Sequence, residues 1–205
     1  MKTSNYILIA LFVFVTVSLL VLFISARGHE NGEGRFNFTQ KEYPLDNIKV
    51  IVAEPGVFIH IRTSENNSLI VHYPIDEKEP VNAYRISSDT LFVSKVIYQN
   101  EKINPAIDVY VGHLSSLVAK SNSNINVDDF TIDKLVINAD QAFVGFHNSS
   151  IGEAIIQAEH SGISMYSTKV ESIFGKLENN SSLRGDSKNI QKIDIEKDQN
   201  SQINL

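Results

Sequence analysis

The chain contains no cysteine. Disulfide scaffolds, thiolate metal sites, cysteine nucleophiles and lipidated cysteine anchors are thereby excluded, while the redox compartment stays open. Positive charge is also scarce. Lys2 is the only charge before Arg27, so the remainder carries 17 basic and 24 acidic side chains, a net 17 − 24 = −7. Nucleic-acid binding needs a basic face that releases counterions, and docking on anionic headgroups needs the same sign, so neither partner fits. Proline is confined to five positions between Pro44 and Pro105. The stretch beyond Pro105 can therefore form uninterrupted ladders. There is no HExxH pair, no GxSxG elbow and no glycine-rich phosphate loop. After the N-terminal segment no stretch holds a helical period for three turns.

What is present begins with Tyr6 to Ala26, YILIALFVFVTVSLLVLFISA, an uncharged run. About 20 apolar residues match the thickness of a bilayer core. The reading is an uncleaved single-pass anchor over residues 1–26, N-terminus inside, with the carboxyl portion periplasmic or extracellular. The alternative is a cleaved signal peptide, whose apolar region is usually shorter. Residues 27–42, RGHENGEGRFNFTQKE, read as a polar spacer.

From Tyr43 the hydrophobic period is two. Ile48, Val50 and Val52 alternate, as do Val57, Ile59 and Ile61, and short runs follow at 68–73, 83–87, 90–96 and 106–112. Beyond residue 112 five weak repeats can be anchored at Leu117, Leu135, Ala154, Ile173 and Ile193, spaced 18, 19, 19 and 20 residues apart. Each has apolar or small residues at offsets 0, 2 and often 4, then a polar turn and a second short strand. A unit of two short strands cannot bury its own inner face, so units must stack. The expected fold is an all-β, β-solenoid or β-helix-like stack, with residues 43–112 as capping or covering strands and 113–205 as the repeats. A β-sandwich is the alternative. Small inward residues, Ala119, Ala139, Ala158 and Gly175, suit a narrow core.

The stretches LDNIKVIVAEPGVFIHIRTSENNSLIVHY (45–73), YRISSDTLFVS (84–94) and IDVYVGHLSSLVAKSNSNINV (107–127) resemble the head GIN domain family, proposed auto-transporter adhesins common in Bacteroidota. The resemblance spans about residues 43–205 and brings no catalytic residue. Family members often carry Ser-Gly at repeat turns, where this chain has Ser123-Asn124, Ser161-Gly162 and Ser181-Ser182. It implies a β-helical envelope protein with an adhesive role.

Candidate sites are few. The six histidines show no metal-ligand spacing, and His60 and His72 read as polar-face residues of strands. Asp128-Asp129 would point to opposite faces of a strand, and so read as a solvated turn. Offset 5 of the repeats collects Asp140, Glu159, Glu178 and Asp198, either a soluble edge or a cation-binding strip. Offset 1 collects Val118, Val136, Ile155 and Phe174, an apolar stripe that the strands of 43–112 cover or that meets a partner. Asp89-Thr90-Leu91 resembles a short O-glycosylation signal, with Thr90 as acceptor. The functional expectation is a membrane-anchored, non-enzymatic binding, adhesive or scaffolding module without cofactor. Its partners would be the membrane and an envelope protein or polysaccharide. A carbohydrate-active enzyme on a β-helix is the alternative.

Overall fold

The computed structural model describes residues 15–18, 37–80, 82–98 and 106–205. The chain divides into two units, Met1–Asn37 and Phe38–Leu205. Of the expected membrane anchor only residues 15–18 are described, as one helical turn. The rest of that segment, and most of the expected spacer, lie outside the described residues. Among the described residues no helix is long and apolar enough to cross a membrane.

The second unit is built of strands. The first seven are β1 (Phe38–Pro44), β2 (Val50–Ala53), β3 (Phe58–Thr63), β4 (Ser68–Pro74), β5 (Tyr84–Ser87), β6 (Thr90–Val93) and β7 (Ile107–Val111). Then come β8 (Ser116–Ala119), β9 (Asn124–Asp128), β10 (Thr131–Asp140), β11 (Phe143–His147) and β12 (Ser150–Glu159). The last are β13 (Gly162–Met165), β14 (Lys169–Glu178), β15 (Ser182–Gly185), β16 (Ile190–Lys197) and β17 (Gln202–Asn204). They form a nine-stranded sheet in the order β1-β4-β7-β3-β9-β11-β13-β15-β17 and an eight-stranded sheet in the order β16-β14-β12-β10-β8-β2-β6-β5. Consecutive strands alternate between the sheets from β8 onward. Every pair is parallel except β1 with β4, β4 with β7 and β5 with β6. Parallel neighbours one full turn apart define a β-solenoid and remove the sandwich alternative, which rests on antiparallel Greek-key sheets.

Each rung is closed by two corners with a shared local chemistry. At one corner Asn122, Gln141, His160 and Asn180 have positive φ, and each precedes a buried residue: Ser123, Ala142, Ser161 and Ser181. At the other, Asp129, Asn148 and Ser167 have positive φ before buried Phe130, Ser149 and Thr168. The left-handed region is strained for most L-residues, and Asn and Asp tolerate it best. The first corner also carries a serine ladder. Ala142 N donates to Ser161 Oγ at 3.0 Å, Ser161 N to Ser181 Oγ at 3.2 Å, and Ser181 N to Ser201 Oγ at 3.2 Å. The hydroxyls of Ser161 and Ser181 donate to carbonyls of their own turns. Corner amides that leave the sheet ladder are thus satisfied by side chains of the next rung.

The core is made of inward columns. Ile107, Ile59, Ile125, Val144, Ile163 and Leu183 stand in register in one sheet, and all are buried. In the other, Ala53, Ala119, Ala139 and Ala158 form a small-residue column.

Four sequence expectations need correcting. Leu117 pairs with Ile137, not Leu135, so the first repeat is 20 residues rather than 18. The reason is strand length: β10 has ten residues against four in β8, and Leu135 occupies an extra inward position. Residues 43–112 do not fold over the apolar stripe. β2 and β6 lengthen the eight-stranded sheet and β3, β4 and β7 the nine-stranded one. The spacer ends earlier than residue 42, because β1 starts at Phe38 and pairs with β4 as a polar edge strand. Gly175 is not a small core filler. Its φ is +135°, and a Cβ there would lie 1.8 Å from the carbonyl oxygen of Ile156, so only glycine fits the backbone.

Candidate binding face

Alternation in the nine-stranded sheet fixes which side chains leave the core. With Ile59 and Ile61 inward, β3 turns Phe58, His60 and Arg62 outward; β7 likewise presents Asp108 and Tyr110, and β9 presents Asn124, Asn126 and Asp128. In register, His60 lies between Asp108 and Asn126, and Arg62 lies between Tyr110 and Asp128. The outcome is a charged network across four adjacent strands, β4, β7, β3 and β9. His72 Nε2 is 2.8 Å from Asp108 Oδ2, and Arg62 reaches Asp108 at 3.8 Å and Asp128 at 4.0 Å. His60 Nδ1 lies 3.9 Å from Asp128 Oδ2, and Arg62 donates to the Tyr110 hydroxyl at 3.3 Å.

The two carboxylates are the better shielded members, with side chains 17% and 25% exposed, against 45% for Arg62. The hydrogen bond to Tyr110 and the neighbouring carboxylates raise the basicity of Arg62. Its guanidinium therefore stays charged and offers a planar fork of donors at the surface. The pairs of Arg62 and His60, at 3.8 to 4.0 Å and partly wet, hold the fold weakly. They do create a polar surface: donors on Arg62 and on the His72 ring N–H that faces Asp108, and acceptors on the two carboxylates. His72 with Asp108 is also the kind of pair that can relay a proton.

The sequence alone puts His60 and His72 on polar strand faces but does not join them to Arg62, Asp108 and Asp128. The signal was in the alternation of 58–62, 107–111 and 124–128. Only the register could align those segments, because residues 64–106 intervene. Asp128 and Asp129 do part company: Asp128 belongs to this face and Asp129 to the corner, with φ 59°. Among the described residues no group of three His, Asp or Glu could hold a metal ion.

The other sequence candidates lie on the eight-stranded sheet and its edge. Val136, Ile155 and Phe174 are in register and half-buried on its outer face. Val118 stands in the neighbouring column, beside Val52 and Asn138. Lys192 Nζ sits 5.1 Å over the Phe174 ring. Asp140, Glu159 and Glu178 are also in register, and Asp198 N donates to Leu177 O, which sets Asp198 beside Glu178. Several of these carboxylates already serve the turns. Glu159 accepts from Asn179 Nδ2 at 2.7 Å, Glu178 pairs with Lys176 at 2.8 Å, and Asp198 accepts from Asn179 N at 2.7 Å. Bonds from Ser201 and the Asn179 amide hold the Asp198 carboxyl below its ordinary range. A depression of about 310 Å³ beside this edge is lined by Lys120, Asp140, Glu159 and Glu178 among others. Thr90 opens β6, half-exposed, its hydroxyl 3.5 Å from Asp89 Oδ1.

Fold and face together define a class: a two-sheet, largely parallel β-solenoid with a charged outer face. No protein-family profile matches the chain, and no curated protein matches it. Among solved structures it is similar to a proposed adhesin of Bacteroides fragilis, with a TM-score of 0.54 at 13% identity over 82% of this chain and 96% of that one. Also similar are a proposed adhesin of Parabacteroides merdae (TM-score 0.40, 11% identity, 83% and 97% covered) and a proposed cell adhesion protein of Clostridium sporogenes (0.39, 11%, 82% and 98%). The Bacteroides fragilis protein shares the fold; at that identity the likeness extends no further.

Proposed function

We propose that this chain is a non-enzymatic binding or adhesive module of the cell envelope. In this reading residues 1–26 anchor it in the membrane, and the solenoid faces the periplasm or the exterior. The observation that carries the proposal is the His72–Asp108–Arg62–Asp128–His60 network, set on an open sheet face. An exposed face of donors and acceptors suits an extended ligand, whereas small-molecule chemistry favours enclosed, mostly apolar clefts. An envelope polysaccharide or an envelope protein is the natural partner, and no cofactor is called for. The alternative, a carbohydrate-active enzyme, is favoured by one feature, the 2.8 Å contact of His72 with Asp108.

Sedimentation of the full-length chain in detergent with insoluble envelope polysaccharide tests the proposal, with reducing ends assayed in the same tubes. The expected result is co-sedimentation that drops at least tenfold in the Arg62→Ala, Asp108→Ala double variant, with no release of reducing ends. Release of reducing ends that disappears in His72→Ala would establish the enzyme instead.

A further inference from the structure

Beside the charged network the same face carries an aromatic shelf. Phe143 is an outward residue of β11, 38% exposed despite its size. Its ring lies over two glycines. A Cβ on Gly145 would come within 3.1 Å of Phe143 Cε1 and 2.9 Å of Asn126 Oδ1, and a Cβ on Gly162 within 3.1 Å of Phe143 Cδ2. A Cβ at either position would make the ring give by a few tenths of an ångström. In the same outward column Asn124 separates Phe143 from Phe58. The Phe58 ring meets His60 edge-on, with centroids 4.9 Å apart. Two rings are thus held on one face with amides between them.

The described residues contain three buried side-chain polar atoms without a hydrogen-bond partner: His60 Nδ1, Ser123 Oγ and Asn124 Oδ1. Ser123 has a structural explanation: each ladder Oγ accepts from the amide of the preceding rung, and there Val57 N donates to Glu54 O instead. His60 and Asn124 belong to the outer face and flank Phe58. Both atoms are covered, so they are polar groups set beneath the face and not sites open to a ligand.

We infer that Phe58, Phe143, Asn124 and Asn126 form a platform for a neutral glycan chain running along the solenoid axis. The inference rests on the proposal that this face binds, and it names the ligand class. A pyranose ring has an apolar C–H face that stacks on a flat aromatic, and an equatorial rim of hydroxyls that both donate and accept. The shelf offers rings for the former, and the Asn124, Asn126 and Asp128 side chains for the latter. Rungs repeat about every 4.8 Å, close to the advance per sugar in an extended chain, so successive sugars meet successive rungs. A peptide that adds a strand is disfavoured, since β3, β9 and β11 each have neighbours on both sides and offer no open edge. A lipid surface is disfavoured because carboxylates, not lysines, rim the shelf.

Isothermal titration and saturation-transfer NMR of the full-length chain with cellohexaose, mannohexaose and galactohexaose provide the test, with polygalacturonate as the charged comparison. At least one neutral hexasaccharide should bind, with saturation transferred to the C–H faces. Phe143→Ala and Phe143→Leu should each weaken it at least tenfold, and Phe143→Trp should retain it. Phe143→Leu keeps apolar cover over the glycines, so its loss of binding reads the aromatic face and not the fold. Wild-type affinity in Phe143→Leu overturns the inference. So does the absence of any neutral-sugar binding while envelope sedimentation persists, in which case the proposed function stands and the shelf does not. Loss of both signals removes both.

Discussion

Ser181 and Ser123 occupy the same corner column, are both almost fully buried, and differ in what their hydroxyls do. Ser181 Oγ accepts from Ser161 N at 3.2 Å and donates to Glu178 O at 2.6 Å. Ser123 Oγ has no partner. Ser181→Ala strands the Ser161 amide, for which Ser181 Oγ is the acceptor, whereas the Glu178 carbonyl keeps its bond from His160 N. One buried unsatisfied N–H costs about 1–3 kcal/mol. In a domain of this size that lowers Tm by roughly 2–4 °C per kcal/mol, so Ser181→Ala should melt about 2–12 °C below wild type. Ser123→Ala removes a hydroxyl that is already desolvated and unpaired, and should stay within about 0.5 kcal/mol of wild type or gain slightly. Urea denaturation of the two variants side by side, followed by far-ultraviolet circular dichroism, reads the difference. Equal losses in the two variants would mean that corner packing and not the hydrogen-bond ladder stabilises the turns, and the reasoning would fall.

Ala158 is buried in register between Ala139 and Leu177. Ala158→Phe should therefore overpack the core by about 1–3 kcal/mol or more, and an unchanged melting curve would refute the inward assignment. Gly175→Ala forces a Cβ against the Ile156 carbonyl at a φ of +135°. A cost of about 1–3 kcal/mol from the backbone alone is expected, with faster amide exchange concentrated in β12 and β14. Burial, aided by Glu79 for Tyr43 and Glu77 for Tyr98, pushes both phenols up from 10.0 to about 12. Because the folded pKa exceeds the unfolded one, this stability is intact below pH 10 and is lost as pH rises through 12. Alkaline unfolding should shift to higher pH in Tyr98→Phe, and an identical transition would contradict the assignment.

Much of the fold was readable because the solenoid writes itself into the sequence twice, as period-two alternation and as a return every 19 or 20 residues. Ala154, Ile173 and Ile193 align in the structure as their spacing indicated. Leu117 did not, because matching residue types hid a difference in strand length that only pairing reveals. The serine ladder left a trace in Ser161, Ser181 and Ser201, spaced by 20, yet serine is so common in turns that the trace carried little weight. The candidate binding face was the least legible part. Its members come from β3, β4, β7, β9 and β11, and their order in space departs from their order in sequence: β3 sits between β7 and β9. No local pattern could announce that His72 meets Asp108 or that Phe143 rests on Gly162.

The central claim is that the outer face of the nine-stranded sheet is where this protein binds. Amide hydrogen exchange of the full-length chain, with and without insoluble envelope polysaccharide, tests it most directly. The account predicts added protection in β3, β7, β9 and β11, with β10, β12 and β14 unchanged. Protection confined to β10, β12 and β14, around Val136, Ile155 and Phe174, would contradict it and move the binding surface to the opposite sheet.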